Sequence, residues 1–275
     1  YGINNKIGKI PEAEVSRILE TALEKGIDTL DTASAYGESE KILGNFARSR
    51  AAGKFKVISK LSGCDNSQVD GIFHRTLDNL GMEKIGGYLI HDFGSYKKDK
   101  KIWDKLVEFK KAGKVEKIGF SLYYPRELDA LLGHCPGIDI VQIPYSVFDR
   151  RFERYLPILK LMGVEVHARS VFLQGLAFKD AETLDAHFAK AKDKIERLSR
   201  LARETGASIA SLCAGFVMSN KLIDKVIVGV DSLEHLIEMT TVSAKDIISD
   251  RAMKVLEDLK IDDEEIVLPF NWKNS

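Results

Sequence analysis

Short β-branched runs that alternate with amphipathic helices from end to end predict an α/β fold, a (β/α)8 TIM barrel. Two further observations favour the barrel over an open doubly wound sheet. No GxGxxG or GxxxxGK[ST] turn follows any strand, and no Pro/Ser-rich linker breaks the chain, so residues 1–275 are expected to form a single domain. Seven strand-like runs can be counted, which leaves the first barrel strand expected upstream of Tyr1.

The elements follow in order. "PEAEVSRILETALEK" places Val15, Ile18, Leu19, Ala22 and Leu23 on one helical face, with Pro11 and two acidic residues in the first turn. "IDTLDTA" is too short and too β-branched to be a second helix. The alternation repeats as a helix near 39–52, strand "FKVISKL", helix near 66–80, strand "GYLIHDF", helix near 99–112 and strand "EKIGFSLY". A short helix from Pro125, strand "DIVQIPYS", a helix near 154–162 and strand "VEVHARSV" come next. Two helices between about 185 and 220, strand "KVIVGV", and helices near 232 and 250 complete the pattern. Continuous apolar strands with helices between them read as a parallel sheet covered on its faces.

Composition narrows the partners. The 41 basic residues equal the 41 acidic ones, so no global field draws the chain to nucleic acid or to an anionic membrane, and a small molecule is the expected partner. The basic stretch "SYKKDKKIWDKLVEFKKAGKVEK" reads as a solvated helix face, with Ile102, Leu106 and Phe109 as its buried stripe. No run approaches the roughly 18 apolar residues of a spanning helix. Cys64, Cys135 and Cys213 have no CxxC spacing, so neither a disulfide framework nor a metal site is expected, and a cytoplasmic setting fits.

In a barrel, chemistry gathers where strands end. Asp31, Lys60 and His91 close three successive strands, and Tyr36 lies in the loop just beyond Asp31. A free tyrosine has a pKa of about 10. An adjacent ammonium stabilises the phenolate, so Lys60 is expected to tune Tyr36, with Asp31 holding Lys60 in place. His91 is expected to orient a substrate carbonyl or to share in the proton relay. Each residue alone has an ordinary reading as a cap, a surface charge, a satisfied histidine or a packing ring; four at successive strand ends point to a site that polarises a carbonyl oxygen.

"GIDTLDTASAYGESEKILG", "VISKL" and "LIHDF", followed in order by "KIGFSLY", "DIVQIPYS", "RSVFLQGL" and "VIVGVDSLEHLIE", resemble the aldo-keto reductase superfamily over nearly the whole chain. The resemblance implies a barrel that binds NADP(H) in extended form, with NAD(H) as the second choice, and transfers a hydride between nicotinamide and a carbonyl carbon. The family's catalytic tetrad falls on Asp31, Tyr36, Lys60 and His91, and its carboxamide-binding positions on Ser121 and Gln142. The asparagine usual after that serine is Leu122 here.

The aromatic residue that commonly stacks on the nicotinamide corresponds to Arg169, whose charge is expected to favour the reduced, neutral ring or an anionic substrate. Ser170, Phe172, Gln174 and Gly175 match the pyrophosphate loop. Gly229, Ser232, His235 and Glu238 match the segment that receives the adenosine end, with His235 where the family often has an arginine. The implied function is reduction of an aldehyde, ketone or sugar with Tyr36 as general acid. Two other readings stay open: a nucleotide-binding regulatory subunit with little turnover, and a barrel lyase or isomerase using Lys60 as a Schiff-base amine.

Overall fold

The computed structural model describes residues 8–50, 53–242 and 248–272. Seven strands follow one another in hydrogen-bonded order from β1 to β7: Thr29–Asp31, Lys56–Leu61, Ile85–Ile90, Val115–Ser121, Ile140–Pro144, Glu165–Arg169 and Lys225–Val226. This is the (β/α)8 barrel arrangement with seven of its strands among the described residues. Among the described residues no further strand precedes β1. The helices are α1 Glu12–Glu24, α2 Ser39–Arg50, α3 Val69–Leu80, α4 Phe93–Lys98, α5 Lys101–Lys111, α6 Pro125–Leu131, α7 Leu156–Leu161, α8 Lys192–Thr205, α9 Ile209–Ser219, α10 Leu233–Thr241, α11 Asp250–Glu257 and α12 Glu264–Val267. Two compact units divide the chain.

The unit made of Val15–Gln142 and Leu161–Glu165 carries β1 to β4 and the start of β5. Its strands are parallel, with Asp31 beside Ile58, Lys60 beside Leu89, Gly119 beside Ile140 and Ser121 beside Gln142. Every residue of β2 except Lys56 is buried, as expected of a strand covered on both faces. The period of two then assigns those faces. Ser59 donates to the buried Glu40 carboxylate of α2 at 2.7 Å, while Ile58 packs with Leu89 and Ile140 on the opposite face. Two residues beyond each of these apolar positions come Lys60, His91 and Gln142, so one layer of the sheet face is apolar and the next is polar.

Gly119 permits the close approach of β4 and β5: a Cβ there would lie 1.8 Å from the Ile140 carbonyl oxygen. On the helix side, Phe73 stacks on Phe109 at 4.0 Å, and Leu19, Phe46 and Phe55 form a second cluster with Val15, Leu23, Leu30 and Leu43 against it. The expected stripe of α5 is buried, Trp103 included, while Lys105 pairs outward with Asp70 and Glu108.

The other unit, the described residues of Tyr1–Glu14, Ile143–Lys160 and Val166–Ser275, holds the end of β5, most of β6, and β7. Tyr145 N donates to Arg169 O at 3.1 Å, and His167 lies beside Lys225 in the β6–β7 ladder. α9 is buried nearly all round, from Ala210 through Val217, whereas α8 buries only the stripe Ile195, Leu198 and Leu201.

Some elements depart from expectation. β7 is two residues long rather than the six of "KVIVGV": after Ile227 N donates to Ala168 O at 2.8 Å the ladder ends, and Gly229 is exposed. α4 has no apolar periodicity and forms because the Asp92 carboxylate accepts from Gly94 N and Ser95 N at 2.9 and 3.1 Å. The long segment after β6 folds into three 3₁₀ turns, Leu173–Phe178, Ala181–Thr183 and Ala186–Ala191, before α8.

Candidate active site

The loop after β1 explains how Asp31 and Tyr36 meet their partners. The chain continues along β2 beyond the end of the ladder: Thr32 N donates to Ile58 O at 2.8 Å, and Ser34 N and Ser34 Oγ both donate to Lys60 O, at 3.2 and 3.1 Å. Small residues at 32–35 make this track sterically open. Tyr36 N then donates to Ala33 O at 2.9 Å and Ser39 N to Tyr36 O at 3.0 Å, a tight turn in which Gly37 takes a φ of +56°. Ser39 becomes the first residue of α2, and its hydroxyl accepts from Thr32 Oγ1 at 3.0 Å.

These bonds set Tyr36 over the polar layer. Lys60 is 0% exposed, and its ammonium donates to the Asp31 carboxylate and, at 2.8 Å, to the backbone carbonyl of Thr32. The same Nζ lies 5.0 Å from the centroid of the Tyr36 ring, which stands edge-to-face with His91 at 5.7 Å. The other Asp31 oxygen accepts from Gln142 Nε2 at 2.8 Å. Ser62 Oγ lies 2.9 Å from His91 Nδ1, and His91 N donates to Leu61 O at 2.8 Å, which fixes the ring at the strand end. A buried ammonium needs such partners, because an unpaired one is driven to neutrality. Tyr36 itself is 40% exposed, open to a small molecule, while Lys60 beneath it is not.

Ser121 and Gln142 lie side by side across the β4–β5 ladder. Ser121 Oγ is buried with no hydrogen-bond partner, while Gln142 is already engaged by Asp31. Leu122 is fully buried. All six of these candidate residues therefore fall in the β1–β4 unit.

The remaining candidates belong to the other unit. Arg169 ends β6 and donates from a guanidinium nitrogen to Ser170 Oγ at 3.1 Å. Ser170, Leu173 and Gln174 have φ values of +59°, +45° and +54°, and among the described residues they are the non-glycine positions in the left-handed region. Gly175 follows at +93°, and Phe172 packs its ring 5.1 Å from Phe178. Strain of this kind concentrates at functional loops. After β7, Gly229 is exposed, Ser232 caps α10 by accepting from His235 N at 3.2 Å, and His235 pairs with Asp231. Glu238 is half-buried on α10.

Sequence reasoning missed two contributors, Ser62 and the Thr32 carbonyl. Ser62 stands two residues after Lys60, on the same face, so alternation alone was enough to find it. The Thr32 carbonyl is a backbone acceptor and leaves no residue-type signal. Gln142 was read as a carboxamide-binding group; its Nε2 also donates to Asp31, 111 positions away, a bond its residue type did not announce. Among the described residues no group of three His, Cys, Asp or Glu side chains is placed to hold a metal ion, and no helix is long and apolar enough to cross a membrane.

A parallel strand-and-helix alternation with an Asp, Tyr, Lys and His gathered at the strand ends defines a barrel-type protein with a polar cluster at one end of the sheet. Its relatives say which kind. The sequence matches the aldo/keto reductase family over residues 1–261, and the chain belongs to that family of oxidoreductases. An aldo-keto reductase of Mycolicibacterium vanbaalenii is 31% identical over 46% of this chain, an alignment that spans 47% of the relative's own length. The oxidoreductase YrpG of Bacillus subtilis is 25% identical over 90% of this chain and 87% of its own. The solved structure of aldo-keto reductase AKR11C1 from Bacillus halodurans, in its holo form, superposes with a TM-score of 0.73 at 19% identity, covering 91% of this chain and 88% of that one, a likeness of fold.

Proposed function

We propose that this chain is a nicotinamide-dependent carbonyl reductase in which Tyr36 protonates the oxygen of an aldehyde, ketone or sugar substrate. The observation that carries the reading is the fully buried Lys60 ammonium, held by Asp31 and the Thr32 carbonyl, 5.0 Å from the ring of the exposed Tyr36. A positive charge there favours release of the phenolic proton in a way that bulk solvent does not. Asp31 keeps the lysine charged and is itself oriented by Gln142. In the tautomer in which Ser62 donates to Nδ1, His91 has its proton on Nε2 and can donate to the same carbonyl oxygen. The site thus offers two donors to one oxygen as negative charge develops on it.

The residues present fit a nicotinamide cofactor. The Ser121 hydroxyl is buried with no hydrogen-bond partner among the described residues, which suits a carboxamide, and the loop after β6 has the left-handed positions Ser170, Leu173, Gln174 and Gly175. When bound, the dinucleotide would supply the hydride that reduces the carbonyl carbon. By the resemblance to the family, Ser121 and Gln142 would hold its carboxamide, Arg169 would lie against the ring, Ser170, Phe172, Gln174 and Gly175 would meet the pyrophosphate, and Gly229, Ser232, His235 and Glu238 the adenosine end. NADP(H) is the family's first expectation and NAD(H) the second. The substrate is a small carbonyl compound, a nucleic acid or membrane partner has no support, and a cytoplasmic setting is in keeping with three free cysteines.

A Schiff-base role for Lys60 is disfavoured, since its nitrogen is buried and already carries two hydrogen bonds to oxygen acceptors. Oxidation of NADPH and NADH followed against a panel of aldehydes and ketones tests the proposal. Tyr36→Phe should lower turnover by roughly 100- to 10,000-fold while dinucleotide binding persists. Full activity in that variant would overturn the assignment, and tight binding with negligible turnover in the unaltered chain would favour the regulatory reading instead.

A further inference from the structure

NADP(H) differs from NAD(H) by a phosphate on the adenosine ribose, and the proposed cofactor reading puts that difference at the start of α10. A helix N-terminus ordinarily welcomes an anion, because its first amides lack intrahelical partners. Here one of those amides is taken: Glu14 Oε1 accepts a hydrogen bond from Leu233 N, the first residue of α10, at 3.1 Å. Ser232 accepts from His235 N, so a second early amide is also satisfied. The imidazole of His235, the one candidate cation of the segment, is paired with Asp231 just before the cap. Residues 226–244 contain no lysine or arginine, while Asp231, Glu234 and Glu238 add three carboxylates to that of Glu14.

We propose that Glu14 and Asp231 make this chain discriminate against the 2′-phosphate, so that it binds NAD(H) in preference to NADP(H). The inference rests on the cofactor reading above and reverses the order expected from the family. A phosphate entering here must displace Glu14 from the Leu233 amide, compete with Asp231 for His235, and accept the repulsion of both carboxylates. A ribose 2′-hydroxyl meets none of these costs. It can donate to a carboxylate, which a phosphate dianion cannot.

The test is calorimetric titration of the purified full chain with NADH and with NADPH in the absence of substrate. NADH is expected to bind at least about tenfold more tightly. Glu14→Gln keeps an oxygen that can accept from Leu233 N but removes the charge, and Asp231→Asn releases His235. Either should tighten NADPH several-fold and leave NADH within about twofold. NADPH binding as tightly as NADH to the unaltered chain, or an NADPH-to-NADH ratio unmoved in both variants, would overturn the proposal. Binding of neither dinucleotide by a cooperatively melting chain would overturn the cofactor reading together with this inference, whereas NADPH preference would overturn this inference alone.

Discussion

The β1–β4 unit and the segment after β6 hold their proposed functional groups in opposite ways. In the first, the groups around Tyr36 are tied to neighbouring strands or strand ends: Lys60 to Asp31 and Thr32, Asp31 to Gln142, His91 to Ser62 and Leu61. In the second, residues 170–175 are held by short turns, with three non-glycine residues in the left-handed region and no ladder to support them. The groups that position and charge a proton donor must be fixed to within fractions of an ångström before substrate arrives, so they belong on strand ends. A loop outside the ladder can carry conformational strain of this kind, which strand ends in register cannot.

Substitutions can break this contrast. Lys60→Met should have the largest effect. It removes the ammonium from Tyr36 and leaves the Asp31 carboxylate without its ion pair, so turnover should fall roughly 100- to 10,000-fold. Urea unfolding should show about 3 kcal/mol less stability. Retention of both activity and stability would mean that the layer is not held as described. Arg169→Tyr, on the other side of the comparison, should leave stability nearly unchanged and shift the ratio of affinities for oxidised and reduced dinucleotide toward the oxidised form, several-fold by fluorescence titration. No movement of that ratio or of substrate affinity would remove Arg169 from the site.

Ser121→Ala is the mildest change. Its hydroxyl has no hydrogen-bond partner among the described residues, so the melting temperature should hold while dinucleotide affinity drops by about 1 kcal/mol. A loss of stability with affinity intact would make the hydroxyl structural.

Much of this was legible in the sequence where burial dictates residue type. The apolar runs around Val57, Leu89, Ile118 and Val141 are strands because both faces are covered, and the polar residues that interrupt them mark the site. Where local hydrogen bonding rather than burial decides, the sequence was nearly silent. α4 depends on one aspartate cap in a stretch of glycine and lysine, and the turns after β6 have no period to detect. β7 shows the opposite failure: "KVIVGV" has strand composition, yet the ladder runs out after Ile227. The Gln142 bond to Asp31 depends on register across strands far apart in the chain.

One of the anchors of Lys60 is the carbonyl of Thr32, an atom that no side-chain replacement deletes. Anyone transplanting this site onto another scaffold must therefore carry over a path of backbone as well as a set of side chains. Grafting Asp31, Tyr36, Lys60 and His91 without the 32–34 track along β2 would copy the letters of the site and lose its grammar.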